Sequence, residues 1–507
     1  MPCEDWGDSR VSEDGHIFTP EMIFTIFLLV QTALLYFILT HRSRSKREPP
    51  LDKGLIPWLG HALEFGKDAS KFLNRMKLKH GNIFTVRAAG RYVTVLLDPH
   101  SYDAVINDTD CLDFTRYAQV LMDRIFNLRL PDHHMDKAKD MMKKQFMGMN
   151  VASLNNTVSR HLQALVKAEI PQNQKDWKEH GLFDFSYSLL FKAGYLTLFG
   201  GEQNNNSSDP SFVYEEYKKF DGLLTKMARG TLNREEKRTT QRVQKRLLEL
   251  LAPAGLAEDS GSSPWLHSYR RLLQEEGADE DTQGKAILMQ VWATQGNVGP
   301  AAFWLLGYLL TNPAALSAVK KEFSQISQME PSETPLSDRL MNTPVFGSAL
   351  EEALRLSAAP FITREVLQEK TLHMADGQEY LLRKGDRMCL FPFISPQMDP
   401  EIYHEPQKYK YDRFLNEDGS VKKDFYKAGR RLKYYTMPWG AGTNGCVGKQ
   451  FAINTIRQFV YMVLMNYDLE LCDPNAQMPE VNASRYGFGM LQPESDLLVR
   501  YKSRNAH

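Results

Sequence analysis

The sequence predicts a mainly α-helical domain with small β-sheets, an α+β fold, preceded by one membrane-spanning helix. From about Ser101 onward, apolar residues recur at three- and four-residue spacing, which is typical of amphipathic helices. Two short runs of β-branched and aromatic residues before that point indicate a β-hairpin. An almost wholly apolar run between Met22 and Thr40 predicts the membrane helix.

The composition excludes several classes of function. The chain has 507 residues, which is enough for one large domain. Lys and Arg together number 62, as do Asp and Glu, so no net field attracts nucleic acid. The cysteines are scattered without a C-x-x-C pair, which argues against a disulfide framework or a zinc site and for a reducing compartment. They are Cys3, Cys111, Cys389, Cys446 and Cys472.

The apolar run at residues 22–40 predicts a retained signal anchor. At about 1.5 Å per residue it spans the roughly 30 Å of a hydrocarbon core. A cleaved signal peptide is the alternative, but its front is usually basic and its apolar part shorter. Here the segment before the apolar run is acidic and the segment after it is basic, so the positive-inside rule places residues 1–21 in the lumen. We expect a single-pass protein of the endoplasmic reticulum membrane, with a basic, proline-containing linker at residues 41–50 and a cytosolic domain at residues 51–507.

Asn-x-Ser/Thr triplets provide a check on this topology. They are acceptors for N-linked sugar only in the lumen. A cytosolic domain predicts that all of them stay unmodified. They begin at Asn155, Asn205, Asn206 and Asn482.

The hairpin and the loops are predicted from local composition. Two strand-like runs, Ile83–Val86 and Tyr92–Leu97, are separated by Ala-Ala-Gly, which indicates two strands joined by a tight turn. Two polar insertions, at residues 203–210 and 252–264, are rich in turn-forming residues and predict surface loops.

The longest helical pattern in the domain, Lys285–Leu310, contains a break. Pro300 lacks an N–H, and its ring clashes with the carbonyl of Gly296. Gly299 weakens the same turn. The helix is therefore predicted to kink or open beside Asn297. A packing kink in a buried helix is the simpler interpretation of the same residues.

A glycine-rich stretch around Cys446 is the strongest chemical signal. Trp439–Gly448 reads Trp-Gly-Ala-Gly-Thr-Asn-Gly-Cys-Val-Gly and is followed by a helical pattern. Glycines let the backbone approach a flat ligand closely. The helix N-terminus that follows favours a thiolate, which is what an axial haem ligand requires. A single cysteine is more often a buried apolar residue, so the interpretation depends on the whole ten-residue pattern.

This stretch resembles the cysteine loop of cytochromes P-450, with Trp439 in place of the usual Phe and Asn444 in place of the usual haem-binding Arg. The resemblance extends over most of the chain from Pro49 to Tyr501. It implies a haem b cofactor between a long distal helix and the cysteine loop, with Cys446 as the axial ligand of the iron. Other cofactor contacts implied by the loop are Gly440, Gly442, Asn444 and Gly448.

The same resemblance assigns the broken helix to the distal face of the haem. Gly296-Asn297 then occupies the position of the family's acid–alcohol pair, which delivers protons to bound oxygen. Neither residue relays a proton as a carboxylate and a hydroxyl do. Asn297 can still bind a ligand oxygen, so we expect it to be a catalytic and substrate-contacting residue.

Further motifs resemble the family's scaffold. Glu352-Ala353-Leu354-Arg355 matches E-x-x-R, and Arg413 supplies the arginine that completes a buried triad with Glu352 and Arg355. The triad is expected to hold the cysteine loop. Arg364 matches an arginine that binds a haem propionate, and Lys137 or Lys139 is a second candidate. The residues expected to contact substrate, besides Asn297, are Trp292, Phe114, Tyr117, Leu121, Pro360, Thr363 and Met490.

Within the family, five stretches resemble above all the branch that isomerises prostaglandin H2 to prostacyclin, with the sterol 12α-hydroxylases next. These stretches are residues 91–104, 182–200, 291–306, 358–366 and 484–494. The resemblance implies homolytic cleavage of the endoperoxide O–O bond without O₂ or a reductase, and functional coupling to an upstream cyclooxygenase. The sterol hydroxylases also have Asn in place of the helix alcohol, so that feature does not separate the two activities.

Two alternatives remain open from the sequence. One is a sterol monooxygenase of the endoplasmic reticulum that receives electrons from a reductase. The other is a haem protein that binds a lipid without turnover. A basic face near the cysteine loop could dock an acidic reductase, although such charge runs are usually solvated surface. Its residues are Lys422, Lys423, Lys427, Arg430, Arg431 and Lys433.

Overall fold

The computed structural model describes residues 20–40, 44–170, 176–201, 209–251, 263–328 and 335–504. The chain forms two compact units, Met1–Glu48 and Pro49–His507. In the first unit, helix α1 spans Pro20–Thr40.

The apolar helices among the described residues are short for a membrane span. None of their helices is by itself long and apolar enough to cross a bilayer, and the apolar part of α1, Glu21–Tyr36, is one of the shorter helices. Glu280–Leu310 and Pro313–Gln328 reach the required length only together, across a bend of 108°. The transmembrane part of the predicted fold therefore stays a prediction.

The second unit is mainly helical, as predicted. Its helices are α2 (Ala62–Lys67), α3 (Ala69–His80), α4 (Asp103–Ile106), α5 (Thr115–Phe126), α6 (His134–Gln145), α7 (Gly148–Glu169), α8 (Leu182–Leu198), α9 (Pro210–Arg229), α10 (Arg234–Leu250), α11 (Pro264–Glu275), α12 (Glu280–Gln295), α13 (Val298–Leu310), α14 (Pro313–Gln328), α15 (Leu336–Met341), α16 (Pro344–Ser357) and α17 (Lys449–Asn466).

The strands are short and form small sheets. They are β1 (Leu51–Asp52), β2 (Ile83–Ala88), β3 (Arg91–Leu96), β4 (Leu112–Asp113), β5 (Lys178–Gly181), β6 (Ile362–Val366), β7 (Lys370–His373), β8 (Glu379–Leu382), β9 (Arg387–Leu390), β10 (Tyr426–Lys427), β11 (Arg430–Arg431), β12 (Tyr467–Leu471) and β13 (Leu498–Ser503). The largest sheet has the order β1-β2-β3-β9-β6-β4, and the smaller sheets are β12-β13-β5, β7-β8 and β10-β11.

The predicted hairpin is confirmed as β2 and β3, which pair antiparallel with Ala88 opposite Arg91. Ala89 and Gly90 form the turn with φ of 47° and 76°. Positive φ at both central positions matches the twist of a two-residue hairpin. A Cβ on Gly90 would come within 2.5 Å of Trp58 Nε1, so this position also requires glycine for space.

Helix ends follow the local sequence. The Asp209 side chain accepts a hydrogen bond from the Ser211 N–H where α9 begins, and Gly230 ends the helix at φ 69°. Asn233 and Glu236 form a reciprocal capping box at the start of α10. These residues satisfy backbone groups that a helix leaves unpaired at its termini.

The predicted break in the long helix is present. α12 ends at Gln295 and α13 begins at Val298, with Asn297 between them at φ −114° and ψ −30°. Pro300 falls in the first turn of α13, where its missing N–H costs no helical hydrogen bond. Starting a new helix just before Pro300 therefore costs no backbone hydrogen bond, which explains why the break lies here.

α13 lies in the centre of the domain and packs against α8, α16 and α17. Where α13 crosses α8, a Cβ on Gly299 would come within 2.7 Å of the Tyr187 Cα, so glycine allows the close approach. Trp304 is fully buried, and its indole N–H donates to the Leu491 carbonyl at 2.7 Å. These contacts fix the helix break relative to the C-terminal segment.

Some predictions fall partly or wholly outside the described residues. These are the insertions at 203–210 and 252–264, of which 203–208 and 252–262 lie outside the described residues, and the acceptor triplets at Asn205 and Asn206. Asn155 is buried within α7, with 4% of its surface exposed, which removes it as a sugar acceptor in the folded protein. The Asn482 side chain accepts from the Ser484 N–H at 3.1 Å.

Candidate active site

A cavity of about 580 Å³ lies between the α12–α13 break and the stretch that contains Cys446. Its lining is predominantly apolar and comes from α5, α6, α12, α13 and the segments around Pro360 and Met490. Such a cavity, with few polar groups, suits an apolar ligand whose orientation those groups fix. Among its lining residues are Phe114, Leu121, Met142, Trp292, Asn297, Ala301, Arg364, Asn444, Cys446 and Met490.

The cysteine loop turns tightly beneath the cavity. The Cys446 N–H donates to the Trp439 carbonyl at 2.8 Å, which closes the loop. Gly440 and Gly442 both have φ of 65°. A Cβ on Gly442 would come within 2.5 Å of Ile106 Cγ2, so both backbone conformation and space require glycine there.

The Cys446 thiol is accessible to the cavity, directly before the N-terminus of α17. Burial raises its pKa, and hydrogen bonds from the Gly448 and Lys449 N–H groups, with the charge of Lys449, oppose that rise. The predicted thiolate-favouring groups are therefore present, but alone they do not offset burial. A bound metal cation would complete the deprotonation.

Asn297 faces the cavity from the helix break. Its Oδ1 accepts a hydrogen bond from the Met490 N–H at 3.0 Å. This bond fixes the amide so that Nδ2 has its donors left for a ligand, because Nδ2 bonds to no other described residue. Gly489 permits this contact, since a Cβ there would come within 2.5 Å of Oδ1.

Two cations meet at one edge of the cavity. Arg364 is 3% exposed, and its Nη1 donates a hydrogen bond to the Thr363 carbonyl at 2.9 Å. The Lys139 Nζ donates to the Asn444 Oδ1 at 3.1 Å. Burial, then the charge of Lys143, lowers the pKa of Lys139, and Arg364 adds to the effect. Neither cation pairs with a carboxylate within the described parts of the chain.

The edge also contains an unpaired donor. Trp439 lines the cavity, and its buried indole N–H has no acceptor among the described residues. A buried donor without a partner is costly, which indicates that a ligand supplies the acceptor. The thiol, the apolar walls and this cationic edge fit haem b, with its iron, its flat ring and its propionates.

The predicted triad is assembled in the core. Arg355 donates two hydrogen bonds to the Glu352 carboxylate at 2.7 and 2.8 Å, and Arg413 donates a third at 2.8 Å. Glu352 and Arg355 are fully buried. The Tyr403 ring lies 4.8 Å from the Arg355 Cζ and 5.6 Å from the Arg413 Cζ, which adds cation–π contacts.

The triad is connected to the cysteine loop by hydrogen bonds. Arg355 Nη1 donates to the Gln397 carbonyl at 2.6 Å, and the Gln397 Oε1 accepts from the Met437 N–H at 3.3 Å. The Gly440 N–H in turn donates to the Met437 carbonyl at 3.2 Å. The expected scaffold therefore has a continuous physical route to the loop.

Most predicted site residues line the cavity, but four do not. Tyr117 has the Arg387 Cζ 5.1 Å from its ring, and the Thr363 hydroxyl lies 3.8 Å from the Cys389 Sγ. Gly442 packs against Ile106. Lys137 lies 3.7 Å from Glu276 rather than near Asn444. Those that line the cavity are Phe114, Leu121, Lys139, Trp292, Asn297, Pro360, Arg364, Gly440, Asn444, Cys446, Gly448 and Met490.

Sequence reasoning missed two features of the site. The unpaired N–H of Trp439 was signalled only by the substitution of Trp for Phe. The bond between Met490 and Asn297 joins residues far apart in the chain, and no local pattern indicates it.

The basic face near the cysteine loop is partly neutralised. Lys427 forms an ion pair with Asp399, Lys433 with Asp103 at 2.7 Å, and Arg431 with Asp424 at 2.5 Å. The surface charge available to an acidic partner is therefore smaller than the sequence suggests.

The chain is similar in sequence to several known proteins. The sequence pattern of the cytochrome P-450 family matches residues 49–499. The chain is 51% identical over 476 residues to a prostacyclin synthase of Rattus norvegicus, which covers 91% of this chain and 95% of the relative. It is 50% identical to a prostacyclin synthase of Homo sapiens with the same coverage. It is 40% identical over 471 residues to a 7-alpha-hydroxycholest-4-en-3-one 12-alpha-hydroxylase of Homo sapiens, covering 91% of this chain and 94% of the relative.

The triad leads to a stability prediction. Glu352→Gln should lower the free energy of unfolding by about 3–5 kcal/mol, because Arg355 and Arg413 would lose their buried counter-charge. Haem content should fall with it. Denaturant unfolding and the haem absorbance of the purified protein measure both effects.

Glu351→Gln is the matched control on the same helix. Burial raises the pKa of Glu351, and its carboxylate makes no hydrogen bond to a described residue. Because burial already disfavours its charged form, neutralising Glu351 should lower the free energy of unfolding far less than Glu352→Gln does. Equal stability of the two variants would show that the Glu352 charge does not hold the scaffold.

Proposed function

Because the chain belongs to the cytochrome P-450 family, we propose that it is the haem-thiolate isomerase that converts prostaglandin H2 to prostacyclin. The observation that supports this activity most directly is the 51% identity to a prostacyclin synthase over nearly all of both chains, against 40% for a sterol 12-alpha-hydroxylase. The substrate already contains the O–O bond to be broken, so the reaction needs neither O₂ nor a reductase.

The cofactor is haem b, which when bound supplies the iron at which the endoperoxide O–O bond is cleaved homolytically. Cys446 is the proposed axial ligand. Arg364, Lys139 and the Trp439 N–H are the proposed partners of the propionates. Gly440 and Gly448, which line the cavity, would let the loop backbone approach the cofactor closely.

Asn297 is the proposed residue for orienting the substrate. Its Oδ1 is occupied by the Met490 N–H, so the Nδ2 donors face the cavity and can bind an endoperoxide oxygen. The apolar lining, including Phe114, Leu121 and Trp292, excludes water from reactive species. Pro360 and Met490 also line the cavity.

A sterol monooxygenase remains the alternative, since the 12-alpha-hydroxylases are the next relatives. It would require a reductase on the face near the cysteine loop, where ion pairs neutralise Lys427, Arg431 and Lys433. A haem protein that binds lipid without turnover has the same cavity, and only an activity assay separates it from an enzyme.

The first test is anaerobic. Purified haem protein mixed with prostaglandin H2, without NADPH or a reductase, should form prostacyclin, measured as its stable hydrolysis product by mass spectrometry. Cys446→Ala should abolish haem-dependent turnover. If only substrate and its spontaneous breakdown products appear with the wild type, the isomerase is wrong, and sterol hydroxylation with reductase and O₂ is tested next.

Asn297 gives a second prediction. Asn297→Ala should reduce turnover about ten-fold while haem stays bound, because one hydrogen bond to the reacting oxygen is lost. Asn297→Asp separates the two roles of the amide, since it keeps the acceptor for Met490 but removes the donor. Its turnover should be as low as that of the alanine variant.

Asn416→Ala, which changes an exposed amide in a surface turn, is the control and should turn over as the wild type does. Wild-type turnover in both Asn297 variants would show that Asn297 does not orient the substrate.

We also propose a single-pass protein of the endoplasmic reticulum, anchored by residues 22–40 with residues 1–21 in the lumen. The linker at 41–50 would then lead to the cytosolic haem domain at 51–507. This location supports functional coupling to a cyclooxygenase that supplies prostaglandin H2 at the same membrane. The charge asymmetry about the apolar run supports the orientation.

Protease protection tests this topology. In sealed microsomes, a tag at the C-terminus should be digested and a tag at the N-terminus protected. Sugar on Asn482, or protection of the C-terminal tag, would contradict the orientation.

A further inference from the structure

Three arginines gather around Tyr117 at the rim of the cavity. The Arg387 Cζ lies 5.1 Å from the centre of the Tyr117 ring. Arg124, one turn before the end of α5, and Arg229, at the end of α9, are close enough for their charges to interact with the Tyr117 hydroxyl. We call Arg124, Arg229 and Arg387 the arginine rim.

Among the described residues, no carboxylate forms an ion pair with a member of the arginine rim. Arg124 Nη1 donates to the Ala228 carbonyl at 3.0 Å, and Arg229 Nη2 to the Ser484 carbonyl at 2.7 Å. Arg387 lies opposite Glu365 in the β6–β9 register but forms no ion pair with it.

Neighbouring arginines behave differently. Arg129 pairs with Asp123 at 3.1 Å, and Arg485 makes bonds of 2.7 and 3.1 Å to the Asp221 carboxylate. Ion pairing is therefore available in this part of the fold, and the arginine rim lacks it.

Burial and like charge act against the ionised form of two of these arginines. Partial burial lowers the pKa of Arg387, and Arg91 and Arg124 add to the effect, while Tyr117 and Glu365 oppose it. Burial, then repulsion from Arg485, lowers the pKa of Arg229. An anion bound among these side chains would relieve the repulsion, and guanidinium groups bind carboxylates with two parallel hydrogen bonds.

The arginine rim lies next to residues that line the apolar cavity, without lining it itself. Tyr117 lies on α5 between Phe114 and Leu121, which both line the cavity. The Arg229 Cζ lies 5.4 Å from the ring of Phe488, the residue before the cavity-lining Gly489. A ligand with an apolar body in the cavity can therefore place an anionic end among the arginines.

We propose that the arginine rim binds the free carboxylate of a lipid substrate and selects acids over their neutral esters. This inference deepens the proposed function, on which it rests, because prostaglandin H2 carries a carboxylate at the end of one aliphatic chain. Arg229 and Arg387 hold the carboxylate, and exposed Arg124 attracts it to the mouth of the cavity.

The test compares acids with esters on the haem-loaded protein. Isothermal titration calorimetry measures binding of a non-isomerisable prostaglandin endoperoxide analogue as the free acid and as its methyl ester. Wild type should bind the acid at least ten-fold more tightly. Arg229→Gln and Arg387→Gln should each bring the ratio to about two-fold, with the affinity for the ester unchanged. An acid-to-ester ratio near one in the wild type would overturn the proposal without any variant.

Matched controls exclude a loss of general charge or of folding. Arg129→Gln removes the same charge nearby from an arginine that is already paired, and its ratio should stay at the wild-type value. Arg387→Lys keeps the charge but not the two parallel hydrogen bonds, so its ratio should lie between those of the wild type and Arg387→Gln. Arg124→Gln changes an exposed residue, so its folding is not at risk, and its ratio should fall at least three-fold. A ratio that falls equally in Arg129→Gln, or stays in both Arg229→Gln and Arg387→Gln, would contradict the proposal.

Arachidonic acid and its methyl ester separate this proposal from the isomerase activity. If prostaglandin H2 is not converted but acid preference depends on the arginine rim, the isomerase is wrong and the rim stands. If prostaglandin H2 is converted with equal affinity for acid and ester, the isomerase stands and the rim is wrong.

Discussion

The position of the cysteine loop depends on one buried carboxylate. Glu352 is fully enclosed and accepts hydrogen bonds from Arg355 and Arg413, so each charge exists in the core only because the others do. Through Gln397, the same arrangement reaches the Met437 backbone at the start of the loop. A cysteine held in this way keeps its position without any contact of its own to the triad.

The helix break beside Asn297 is held by packing and by two hydrogen bonds rather than by buried charge. The break between α12 and α13 places Asn297 outside regular helix, and the Met490 N–H uses its acceptor. The close approach of Gly299 to Tyr187 and the bond from Trp304 to Leu491 hold that break against the C-terminal segment. An amide with one side occupied and the other directed into an apolar space is a pre-oriented donor, which costs little reorganisation when a ligand binds.

Few polar groups lie at or near this cavity, and its basic residues form two sets. The cationic edge of Lys139 and Arg364 lies beside the cysteine loop, where the cofactor carboxylates belong. The arginine rim lies beyond Tyr117, where the acid end of a lipid would project. The two sets are close neighbours in the fold, since Arg364 lies opposite Met388, the residue after Arg387, in the β6–β9 register.

The sequence by itself determined the features that depend on neighbouring residues. These include the hairpin at Ala89-Gly90, the helix break beside Asn297 and the glycine turns before Cys446, because backbone preference and missing N–H groups act locally. The resemblance to cytochromes P-450 added the triad. Only the tertiary structure decided which distant side chains meet: Lys139 with Asn444, Asn297 with Met490, and Tyr117 turned towards Arg387 instead of the cavity. Packing fixes these contacts, since they join segments whose separation in the chain carries no local signal.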